Sequence, residues 1–82
     1  MKPGSKQTAD TKPLDLTRLE LIALTLTANG LDAAQIAARL GQSDAEVEDA
    51  LSEAERKLGA ANRMHAVTIA VRKGLIGIEV KG

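Results

Sequence analysis

The chain reads as an all-α domain of four helices, and three observations carry that reading. Three Ser/Thr/Asp-x-x-Glu/Gln boxes stand ahead of apolar runs: Thr17–Glu20, Asp32–Gln35 and Ser43–Glu46. Glycines follow the runs, at Gly30, Gly41, Gly59 and Gly74. Between them apolar residues recur at three- and four-residue spacing, and no β alternation competes before residue 75. A box satisfies two orphan N–H groups at a helix start, and a terminal glycine takes the left-handed turn that stops a helix.

Taken in order, residues 1–14 hold Pro, Gly, Ser, Thr and Lys and almost nothing apolar. They bury too little to order themselves and are expected to form a flexible tail. Helix 1 starts at Thr17, with Leu16 and Leu21 as a hydrophobic staple and Leu19, Ala23, Leu24 and Leu26 as its apolar face. Asn29-Gly30 stops it. Helix 2 starts at Asp32, buries Ile36, Ala37 and Leu40, and ends at Gly41. Helix 3 starts at Ser43 and ends at Gly59; Val47, Ala50, Leu51, Ala54 and Leu58 make one stripe along it. Helix 4 runs from an Asn62 cap to Gly74. Helices 2 and 3 are joined only through Gly41-Gln42, which forces a sharp turn between a short helix and a long one. That is helix-turn-helix geometry. The expected layout is a tail over 1–14, a helical domain over 15–76 and an extension over 77–82.

Composition narrows the function. A chain of 82 residues is one small domain, with a modest core. It has no cysteine, hence no disulfide framework and no thiolate chemistry. It has no Phe, Tyr or Trp, which removes the aromatic platform that stacks single-stranded bases. There is no secretory h-region, and no apolar run nears the roughly 20 residues that span a bilayer. A cytoplasmic location without membrane partners is expected. His65 is the only histidine and falls early in helix 4. With no second histidine and no cysteine it makes no transition-metal site, and no Ser-His-Asp or paired-carboxylate arrangement falls in a pocket. Neither an enzyme nor a cofactor is expected.

The order and spacing of Leu16-Thr17, Gly30-Leu31, Ile36-Ala37, Leu40-Gly41, Val47, Lys57-Leu58-Gly59, Asn62-Arg63 and Ala66-Val67 resemble the LuxR-type (GerE-like) helix-turn-helix domain. The resemblance covers residues 16–76. It implies a four-helix domain in transcription regulation that binds double-stranded DNA as a dimer. Helix 3 would be its recognition helix and helix 4 its usual dimerisation surface. Base-facing positions would fall on Glu48, Asp49 and Ser52, and Ser43, Ser52, Arg56 and Lys57 would make polar and phosphate contacts. The departures from the family lie on this same side. Glu46, Glu48 and Ala50 stand where Thr, Lys and His are common, and Glu53 replaces an Asn. Leu19 and Ala34 stand where phosphate-binding residues are usual.

The formal net charge is zero, but its distribution is uneven. Residues 1–13 carry Lys2, Lys6 and Lys12 against Asp10, net +2. Residues 43–58 carry Asp44, Glu46, Glu48, Asp49, Glu53 and Glu55 against Arg56 and Lys57, net −4. A carboxylate about 5 Å from a phosphate costs roughly 0.8 kcal/mol in bulk water, so five of them approach about 4 kcal/mol. Non-specific DNA binding is worth only about 5–8 kcal/mol. Asp44 and Glu46 suit the first turn of a helix, and Glu53 and Lys57 are spaced as an i,i+4 pair. Glu48 and Asp49 have no such local reason. A solvated face and an acidic surface docking on a basic protein both fit the pattern, beside DNA reading.

Helix 4 has two faces at about 100° per residue. Arg63, Ala66, Val67, Ile69 and Ala70 should pack on the domain, while Met64, Thr68 and Val71 cluster opposite, as a homodimer interface or under the tail. Beyond Gly74, Ile76, Ile78 and Val80 alternate, as a short strand or as packing over the domain.

Overall fold

The computed structural model describes residues 15–77, and the expected tail and most of the C-terminal extension, with Ile78 and Val80, lie outside them. Four helices are present among the described residues: α1 Arg18–Ala28, α2 Ala33–Leu40, α3 Asp44–Leu58 and α4 Arg63–Arg72. The described residues contain no strand.

All three boxes close in both directions. In α1, Thr17 Oγ1 accepts from the Glu20 N–H at 3.1 Å and Glu20 Oε1 accepts from the Thr17 N–H at 2.8 Å. Asp32 with Gln35 and Ser43 with Glu46 do the same for α2 and α3. The Asn62 side chain accepts from the His65 N–H at 2.8 Å at the start of α4. Such caps stabilise a helix start by about 1 kcal/mol each. Gly41 at φ 70° and Gly59 at φ 67° take the left-handed turn at the ends of α2 and α3. The Gln42 N–H reaches back to Ala37 O at 3.0 Å, so the α2–α3 turn is closed by backbone alone.

The core is aliphatic and small. Leu24, Ile36, Val47 and Leu51 are its largest fully buried side chains, completed by Ala23, Ala37, Ala54, Leu58, Ala66, Val67 and Ala70. The α3 stripe is buried at all five expected positions, and α3 packs against each of the other helices. Leu19 departs from expectation: it is only half-buried and lines a shallow groove between α1 and α3. Its position at the second residue of α1 puts it past the edge of the core. Ile76, the last residue of the expected helical domain, packs partly against the core.

Candidate nucleic-acid interface

The outward side of α3 divides into three rows. At about 100° per residue, Ala45, Asp49, Ser52 and Arg56 lie within about 40° of the direction opposite the buried stripe. Glu48 and Glu55 lean toward α4, and Glu46, Glu53 and Lys57 lean toward α1. The side rows are engaged and the central row is open.

On the α4 side, Arg63 answers two carboxylates. Its Nη2 donates to Glu48 Oε1 at 3.0 Å and its Nε to Glu55 Oε2 at 3.1 Å. Glu48 therefore has the partner its spacing along α3 did not reveal, because that partner is fifteen residues away on the next helix. On the α1 side, Lys57 Nζ donates to Glu20 Oε1 at 2.9 Å and to Asp15 O at 3.2 Å. The expected Glu53–Lys57 pair does not form. Glu53 instead accepts from Arg56 Nη2 at 2.7 Å and Nε at 3.1 Å, one residue nearer along α3. Lys57 is drawn away because Glu20 is 5% exposed and a desolvated carboxylate attracts a cation more strongly than an exposed one does. The Arg56 fork lowers the Glu53 pKa, first through the hydrogen bond and then through its charge. Glu53 raises the Arg56 pKa in return.

Of the positions expected to touch phosphate, Arg56 stays at the surface, Ser52 is exposed, and Lys57 is committed to the interior. The Ser43 hydroxyl is occupied by the Glu46 N–H, and Glu46 by the Ser43 N–H. Asp49 is exposed and has no hydrogen-bond or ion-pair partner among the described residues. The inward turn of Lys57 was not legible in the sequence; the only hint was a glutamate on the first turn of α1, read there as a cap and nothing more.

On α4, Met64 is 66% exposed and Val71 36%, with Thr68 exposed between them. Ala66, Val67 and Ala70 face the core, and Ile69 and Arg63 are half-buried. A groove runs along the stripe, lined by Thr27, Ala28, Met64, Thr68 and Val71. His65 is exposed, and its Nδ1 accepts from the Ala61 N–H at 2.9 Å, a local cap. No buried side-chain nitrogen or oxygen among the described residues lacks a partner. None of the described helices is long and apolar enough to cross a membrane.

The family model for bacterial regulatory proteins of the luxR family (GerE) matches residues 14–70. Over 64 residues the chain is 44% identical to the transcriptional regulatory protein YdfI of Bacillus subtilis strain 168, covering 78% of this chain and 30% of that protein. Over 61 residues it is 43% identical to the response regulator RamR of Streptomyces coelicolor, covering 74% of this chain and 30% of that one. The chain thus spans about a third of the length of the curated relatives it matches. Among solved structures, the crystal structure of the phage VqmA–DPO complex is similar at TM-score 0.71 and 30% identity, covering 84% of this chain and 34% of that one.

Proposed function

The chain belongs to the luxR family of bacterial regulatory proteins, and from that premise we propose that it serves transcription regulation by reading double-stranded DNA with α3. The observation that carries the proposal is the α2–Gly41-Gln42-Ser43–α3 unit, whose long helix turns an open central row away from the core. α3 would lie in the major groove with Asp49 and Ser52 toward base edges and Arg56 toward a phosphate. Arg56 meets a phosphate by exchanging Glu53 for it, which costs little between exposed groups. The exposed Met64, Thr68 and Val71 support pairing of two copies through α4, which would set two reading helices on one duplex. The names of YdfI and RamR support the regulatory role.

A second reading keeps the regulatory role and replaces DNA by a basic protein surface. It is favoured by the inward commitment of Lys57 and Arg63, which leaves Arg56 as the cation of the α3 outer side. Titration of end-labelled duplex DNA at low salt separates the two. Saturable binding that weakens with added salt, as counterion release requires, supports DNA reading. A folded protein that leaves every duplex unbound at low salt supports the protein partner.

A further inference from the structure

Resting on the DNA reading, we propose that Asp49 makes cytosine the required base under the middle of α3. Among the carboxylates of α3, Glu46 is held by its capping box, Glu48 and Glu55 by Arg63, and Glu53 by Arg56. Asp44 leans toward the flank of the helix at about 60° from Val47, whereas Asp49 falls about 200° from it, on the outer row. Asp49 is thus the carboxylate that reaches a groove with both oxygens free. Its neighbours on the outer row are Ala45, one turn before, and Ser52, one turn after. Ala45 is small and lets the helix backbone approach the groove floor.

An ionised carboxylate only accepts hydrogen bonds. In the major groove guanine offers two acceptors, thymine an acceptor and a methyl group, and adenine an acceptor beside its amino group. Cytosine offers the N4 amino donor and no acceptor. Asp49 therefore repels guanine and thymine, is compromised at adenine, and fits cytosine. Ser52 both donates and accepts, so it fits any base and adds little discrimination. The negative charge that weakens attraction to the backbone thereby becomes a source of selectivity.

The test is selection of bound duplexes from a randomised library by the 82-residue chain and by its Asp49→Asn variant, followed by titration of the enriched duplexes. The expected motif has one invariant cytosine column. Replacing that cytosine should weaken wild-type binding by about 5- to 150-fold, the range of a good base contact. Asp49→Asn should move the same column to adenine, which an amide matches through N6 and N7, and leave the other columns alone. An enriched motif that Asp49→Asn leaves unchanged overturns the assignment while upholding DNA reading. Failure of both proteins to bind any duplex at low salt, with helix content intact by circular dichroism, overturns DNA reading and the assignment with it.

Discussion

Lys57 Nζ lies 2.9 Å from Glu20 Oε1 and 3.2 Å from Glu20 Oε2, joining the last turn of α3 to the first turn of α1. Glu20 Oε1 also accepts from the Thr17 N–H. One carboxylate thus closes a helix cap and neutralises a largely buried lysine. The same lysine holds the backbone of Asp15, a residue at φ 44°, against α3. The orientation of α3 is thereby tied to the place where the preceding chain meets the domain.

Removing the cation should therefore expose the cost of the buried carboxylate. Lys57→Met should destabilise the fold by about 2–3 kcal/mol, less than the roughly 3–5 kcal/mol of a fully buried pair because the lysine side chain retains 20% exposure. Adding Glu20→Gln to Lys57→Met should recover most of the loss, since glutamine still closes the box with Thr17. Urea unfolding followed by far-ultraviolet circular dichroism measures both. Equal stability of Lys57→Met and the parent would show that the pair contributes nothing.

The Glu53–Arg56 pair makes a pH prediction. The folded Glu53 pKa lies below the ordinary 4.5. A depressed carboxyl stabilises the folded state above the ordinary value, and that contribution is lost as pH falls through the folded value. Both groups are at the surface, so the effect on stability is small and the titration itself is the readout. In a carbon-detected NMR titration, Glu53 should have a midpoint under 4.5. Arg56→Ala should raise it toward that value, whereas a midpoint indifferent to Arg56→Ala would mean the fork does not persist in solution.

The helices, caps and core stripe were legible in the sequence because they depend on neighbours within one turn. Thr17–Glu20 and Val47–Leu51–Leu58 read the same on paper and in three dimensions. The charge partners were not legible for the opposite reason. Glu48 finds Arg63 and Lys57 finds Glu20 across packed helices, at separations that only the turn angles decide. Spacing along α3 made Glu53 and Lys57 a pair; burial of Glu20 redirected the lysine. Leu19 shows the same limit, since helical periodicity places it on the apolar face but cannot say where the core ends.

The α4 stripe predicts association. Val71 and Met64 stay exposed although the core is short of large side chains, which is what an unformed interface looks like in a single copy. Val71→Asp would place a charge in that interface and should convert a dimer to a monomer with helix content intact. Sedimentation of both proteins at near-millimolar concentration decides it. A parent that already sediments as a monomer there removes the α4 dimer.

The last prediction concerns attraction to a DNA backbone. Ala34 on α2 is exposed, and Glu48 on α3 leans toward α4 with its side chain 53% exposed. Neither contributes to the core, so Ala34→Lys with Glu48→Lys should leave the fold standing. Arg63 loses Glu48 but keeps Glu55, so it remains neutralised. The double variant gains three units of positive charge, one on α2 and two on the α4-facing row of α3. If that side meets DNA, affinity for random duplex at low salt should rise. The slope of log K against log salt should steepen by about 0.9 for each new phosphate contact, roughly two in all, because each contact releases condensed counterions. Asp49 is untouched, so any cytosine preference should persist while overall affinity climbs. An unchanged slope would place the variant lysines away from the duplex.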